Sequence, residues 1–181
     1  MADAKKKTPK KADNKKNAKS NQKKPDLIVK VDKGSQTICT FLLTPSLPKK
    51  GMATDWQLVK ADGSTKDLDL VKVSFSPDST QTERYFERAV LIVKILQNPE
   101  DDGVWRFSPE GVVVNSATPD SNHDFAVEVV DQGMTLVAYV HDIDSATENV
   151  RFSYLASFTD NKSGQVTVYQ SQDPGVGVGR P

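Results

Sequence analysis

Along residues 149–159 apolar and polar side chains alternate. Val150, Phe152, Tyr154, Ala156 and Phe158 fall on one face, and Arg151, Ser153 and Ser157 on the other, with Leu155 the exception. A period of two is that of a strand that buries one side only. Short runs rich in β-branched and aromatic residues, separated by turn residues, recur along the chain near 26–32, 36–43, 54–60, 68–76, 89–96, 103–107, 110–115, 124–131, 134–142, 149–159 and 164–171. This spacing predicts an all-β protein, and no helix of useful length is expected.

Two glycine turns fix part of the order. Asp131-Gln132-Gly133 and Asn161-Lys162-Ser163-Gly164 each place a glycine where a tight hairpin needs a positive φ, so the strands they join are expected to be antiparallel neighbours in a meander of the last four strands. Ala89 to Leu96 is nearly continuous in apolar residues. That run predicts a central strand, covered on both sides or covered on one and partnered by another chain on the other. Pro45, Pro48, Pro77, Pro99, Pro109 and Pro119 lie outside the apolar runs or at their ends, where a missing amide donor does no harm to a sheet. The expected fold is an antiparallel β-sandwich of the immunoglobulin-like kind. No internal repeat of 20–50 residues points to a solenoid or propeller instead.

Charge divides the chain at Pro25-Asp26. The 24 basic and 24 acidic residues cancel over the whole sequence, but Lys5, Lys6, Lys7, Lys10, Lys11, Lys15, Lys16, Lys19, Lys23 and Lys24 face only Asp3 and Asp13 within residues 1–25, a formal +8. The body is therefore at −8. A segment this polar cannot bury enough apolar surface to offset its ordering entropy, so residues 1–25 are read as a disordered basic tail and 26–181 as the β-sandwich domain. Lysines without arginine or interleaved aromatics offer point charges for phosphate and no base readout, so the candidate partners of the tail are nucleic acid or another polyanion, bound without sequence preference, or the acidic body itself.

Chemistry-bearing motifs are sparse. The lone cysteine, Cys39, excludes an intrachain disulfide and sits in an apolar run as a small buried hydrophobe. No apolar h-region follows the N-terminal charge before Leu27, and no run of 18 apolar residues occurs, which reads as a cytoplasmic protein without a membrane span. His123-Asp124 and His141-Asp142-Ile143-Asp144 could contribute metal ligands if their strands were adjacent, but a polar strand end entering a loop is the plainer reading. The acids at Asp62–Asp69 and Glu100–Asp102 lack the order of a calcium loop. Gly175, Gly177 and Gly179 have no helix after them to present an anion site, and no nucleophile elbow is present. No catalytic, cofactor or metal residue is assigned, and the chain is read as non-enzymatic.

The second half resembles a known family. Val104-Trp105-Arg106-Phe107, Gly111-Val112-Val113-Val114, Asp124-Phe125-Ala126-Val127, Phe152-Ser153-Tyr154, Thr159 to Gly164 and the closing Gln172-Asp173-Pro174-Gly175-Val176 are similar to the bacterial DP-EP proteins and, more distantly, to the inclusion-body proteins of the AidA and PixA type. The resemblance covers roughly residues 100–181. It implies a small bacterial β-sandwich with no established catalytic residues, and Gly177-Val178-Gly179-Arg180-Pro181 departs from the acidic ending of the family name. Read on the residues alone, Asp173-Pro174 is a strand terminator that turns the remaining residues away from the sheet edge.

Two functions follow as expectations. The first is a non-catalytic binding or self-assembling sandwich, for which strand 89–96, Trp56 and Trp105 could supply an interface or groove. The alternative is a basic arm on a β-sandwich, the plan of coat-like proteins that bind nucleic acid. On the alternative, the full chain should retard DNA or RNA of any sequence at low salt in a gel-shift assay, with log affinity falling linearly in log salt, and a chain starting at Asp26 should not. Equal retardation by both chains would place the anion site on the body.

Overall fold

In a computed structural model, the described residues are 27–48, 56–116, 125–143, 148–172 and 175–180. They form strands β1 (Leu27–Val31), β2 (Gln36–Thr44), β3 (Gln57–Lys60), β4 (Leu70–Phe75), β5 (Arg88–Ile95), β6 (Gly103–Ser116), β7 (Phe125–Val130), β8 (Thr135–Val140), β9 (Glu148–Asp160), β10 (Val166–Gln170) and β11 (Gly175–Gly179). One short helix, α1 (Gln81–Arg84), precedes β5 and is closed by a capping box between Thr80 and Glu83. The basic tail lies outside the described residues.

Five strands form one sheet in the order β3-β2-β5-β8-β7. Six form the other. There β1-β4-β11 run in order onto β9; β10 lies beside the far end of the same long strand, and β6 pairs along its other side. The run at 89–96 is indeed central, as β5 between β2 and β8. Both glycine turns join antiparallel neighbours, β7 to β8 and β9 to β10, with Gly133 at φ 86° and Gly164 at φ 68°.

Several expectations need correction. The fold is not purely antiparallel, since β1–β4, β4–β11 and β2–β5 are parallel pairs. Periodicity reports which face is buried and not which direction a neighbour runs. The last strands do not make one meander either, because β7 and β8 belong to one sheet and β9 and β10 to the other. Residues 103–107 and 110–115 are a single strand, whose register against β9 shifts between Phe107 and Val112. Pro109 falls inside that irregularity, where its missing donor is tolerated. Gly111 completes it at φ 66°, with a Cβ there only 2.6 Å from Leu136 and 2.8 Å from Val129.

The largest correction is β11. Asp173 and Pro174 lie outside the described residues, but the chain beyond them does not leave the sheet. Gly175 to Gly179 pair with β4 on one side and with β9 on the other. Val176 and Val178 are buried in the core.

The sheets meet through one hydrophobic cluster built from alternate residues of both, including Val73, Phe75, Phe41, Leu43, Leu91, Leu136 and Val178. In β9 the inward Phe152, Tyr154, Ala156 and Phe158 are buried, as the period of two requires. Trp105 is fully buried at the centre of an aromatic group, with ring centroids 5.6 Å from Trp56, 5.0 Å from Phe158 and 5.4 Å from Tyr169. Its indole Nε1 donates to Asp101 Oδ2 at 2.8 Å. Both tryptophans are therefore buried in the core, and Trp56 also lines a small pocket with Leu43, Leu68 and Gln172.

Truncating Trp105 to alanine removes the hub of three ring contacts and leaves a void between the sheets. Chemical denaturation of Trp105→Ala should show a loss of about 3–5 kcal/mol. An unchanged midpoint would mean that this cluster does not hold the sheets together.

Candidate functional site

Glu87 precedes β5, and strand alternation turns it inward while Phe86 and Arg88 point outward. Its carboxylate is fully buried. Gly34 N donates to Oε1 at 2.8 Å, the Ser79 hydroxyl donates to the same oxygen, and Arg180 Nη2 lies 2.8 Å from Oε2. Burial opposes ionisation, but the Ser79 hydroxyl, the Gly34 amide and the Arg180 guanidinium outweigh it and hold Glu87 below the usual glutamate range. The same guanidinium donates to the carbonyls of Ser76 and Asp142, each at 2.6 Å, and its Nε is 3.6 Å from the buried Asp142 Oδ2. Its Cζ also stands 5.3 Å from the Phe75 ring centroid. One cation, two carboxylates and two carbonyls thus close the space after β4, before β5, after β8 and after β11.

This cluster absorbs the acid next to one of the candidate histidines. His141 is partly buried beside it. Burial lowers its pKa first, and the nearby Arg88 charge adds to this against a hydrogen bond to the Glu87 backbone. His123 and Asp144 lie outside the described residues, and among the described residues no group of three His, Cys, Asp or Glu side chains is placed to hold a metal ion. Cys39 is a buried free thiol whose pKa is raised first by burial. The crevice between the sheets is lined mainly by core side chains such as Phe41, Leu58, Leu136, Phe152 and Tyr154, with Asp69 at its border. The ten tail lysines lie outside the described residues.

The other candidate is a surface. On the inner side of β5, Ala89, Leu91, Val93 and Ile95 are buried, whereas Val90 and Ile92 face out and stay partly accessible. Register aligns Ile38, Val90, Tyr139 and Ala126 in one row across β2, β5, β8 and β7, and Thr40, Ile92, Val137 and Glu128 in the next. Ile38 is 66% exposed and Phe86, continuing the outward side of β5, 62%. This face is thus apolar over its centre. At its margins stand Arg88, held by Gln36 at 2.9 Å and 6.0 Å from the Tyr139 ring centroid, together with Lys94 and Glu128. The outer side of the six-stranded sheet carries Lys30, Lys72, Ser74, Arg106, Ser157 and Thr159, with exposed apolar residues toward its margins at Ile28, Val113, Val166 and Val168. The apolar outward positions of 89–96 are the signal that was visible in the sequence. Its alignment with Ile38 and Tyr139 was not.

Comparison with known proteins gives three results. A family model described as the DP-EP family matches residues 23–180, well beyond the second half. Among solved structures the chain is similar to the inclusion body protein PixA from Burkholderia cenocepacia J2315, with 9% identity and a TM-score of 0.40, covering 81% of this chain and 97% of that one. It is also similar to the cysteine protease inhibitor EhICP2 from Entamoeba histolytica, with 9% identity and a TM-score of 0.28, covering 87% and 100%. No curated protein matches.

Arg180→Met keeps an apolar stem but leaves Glu87 and Asp142 buried without their cation. Breaking a buried ion cluster from one side costs about 3–5 kcal/mol, which urea unfolding at neutral pH should show. Glu87 titrates lower in the folded chain than in the unfolded one, so its contribution is present above the ordinary glutamate pKa and lost as pH falls through its lowered folded value. Unfolding midpoints measured down the acid range should accordingly fall less steeply in the variant, and parallel pH profiles would remove the cluster from this role.

Proposed function

The chain belongs to the DP-EP family, and on that premise we propose that it is a non-catalytic β-sandwich working by association, with the outer face of the β3-β2-β5-β8-β7 sheet seated on the same face of a second copy. The observation that carries this reading is the aligned apolar row Ile38, Val90 and Tyr139 on a sheet face that no described element covers. Contiguous apolar surface rimmed by charge marks an interaction site. A two-fold partner suits this row. Rotation about an axis along β5 packs β5 on β5 and lays β2 of one copy over β8 of the other, so that Ile38 faces the partner's Tyr139.

The two facing sheets support the sandwich. Its likeness to the immunoglobulin plan is limited by the three parallel pairs. The buried free thiol of Cys39 agrees with a reducing, cytoplasmic setting. A second reading is favoured by the charge division alone. The ten lysines of the tail against a body at −8 support polyanion binding, with the sandwich as its carrier.

Sedimentation velocity over a concentration series tests the first reading. The parent should show reversible association, and Ile38→Lys, placing a charge at the exposed centre of the face, should weaken it by about ten-fold or more. Ile38 is too exposed for its loss to unfold the domain, which circular dichroism melting checks. Unchanged association in Ile38→Lys would sink the face contact.

A further inference from the structure

The four other sheet margins carry devices that obstruct pairing with another chain. On β1 the Lys30 carbonyl is taken by the Thr37 hydroxyl at 2.8 Å. On β3 the Leu58 and Lys60 amides donate to Asp67 and Thr65. On β6 the Gln97 side chain clamps both the amide and the carbonyl of Trp105, at 2.8 and 2.9 Å, and Pro109 and the irregularity at Gly111 follow. β7 carries Glu128.

β10 differs from all of these. Its sequence is Val-Thr-Val-Tyr-Gln, with no charge, proline or bulge, and its ladder partner among the described residues is β9 alone. Gln165 O accepts from Asp160 N, and Ser171 N donates to Tyr154 O, so the odd-numbered residues bond toward β9. By the alternation of an antiparallel ladder, the amides and carbonyls of Val166 and Val168 then point to the open edge. Their side chains are 61% and 57% exposed.

We propose that this edge pairs with the β10 edge of a second copy, antiparallel and centred on Thr167, so that two six-stranded sheets become one. In this register Val166 of each copy lies opposite Val168 of the other. The residues that carry outward-pointing backbone groups thereby also form two apolar cross-strand pairs. Charges agree with it. No Asp, Glu, Lys, Arg or His lies between Gln165 and Gln170, and Lys162 falls opposite Gln172 of the partner, so no like charges meet. The proposal does not rest on the face contact. Where both operate, two two-fold contacts on different sheets link more than two copies, so assembly does not stop at a dimer.

The test begins with Ile38→Lys, which removes the face contact, followed by sedimentation velocity of the full chain. This variant should still dimerise, and Ile38→Lys combined with Val168→Lys should dimerise about ten-fold more weakly or not at all, because each lysine replaces one side of an apolar cross-strand pair and lies diagonal to the lysine of the other copy. Val168→Lys alone should leave the face dimer in place. A monomeric Ile38→Lys at every concentration overturns the edge pairing and leaves the face reading standing. A second arm does not depend on lysine being tolerated. Val166→Cys and Val168→Cys copies, mixed and oxidised, should form a mixed disulfide. Its absence overturns the pairing, and a disulfide between two Val168→Cys copies in preference overturns the register.

Discussion

The six-stranded sheet depends on a single insertion. β11 enters between β4 and β9, parallel to one and antiparallel to the other, and among the described residues it is the ladder that ties β1 and β4 to the rest. Val176 and Val178 fill the core side. Immediately beyond it Arg180 reaches the ends of segments from both sheets, through Ser76, Glu87 and Asp142. A buried guanidinium with five donors suits this place, because each carbonyl or carboxylate it meets would otherwise be buried without compensation. Strand insertion and ion cluster therefore act as one closure.

With the sheets closed, their two outer sides have different physical characters. On the outer side of the six-stranded sheet lysine, serine and threonine are interspersed with apolar residues, whose exposed members stand at the margins. The five-stranded sheet shows valine, isoleucine and tyrosine there, arranged by register into rows that no described element covers. Sheet margins differ in the same way. Side-chain hydrogen bonds, a proline and charges occupy four of them, while β10 presents backbone groups beside exposed valines. Ile38 and Val168 are exposed and take no part in the Arg180 cluster, so substitutions there separate association from folding.

Local patterning was enough for much of the fold. β9 was legible because its inward residues are large and its outward ones mostly polar, and the two hairpins were legible because glycine at positive φ is demanded by the turn itself. Strand β5 was legible as central from its nearly continuous apolar run. β11 was not, because Gly-Val-Gly-Val-Gly has little strand propensity and its pairing energy comes from two strands distant in sequence. Likewise nothing near Arg180 in the chain announces Glu87 or Asp142 as its partners.

The amino-acid sequence by itself determined the class, most strand positions, two turns, the charge division and the family, since each of these is written in composition or in neighbours a few residues apart. Only the tertiary structure decided which strands run parallel, that Trp56 and Trp105 belong to the core, that β11 completes a sheet, and which outward residues line up into a face. Those outcomes depend on contacts between residues tens of positions apart. Side-chain period carries no information about partner, direction or register across such distances.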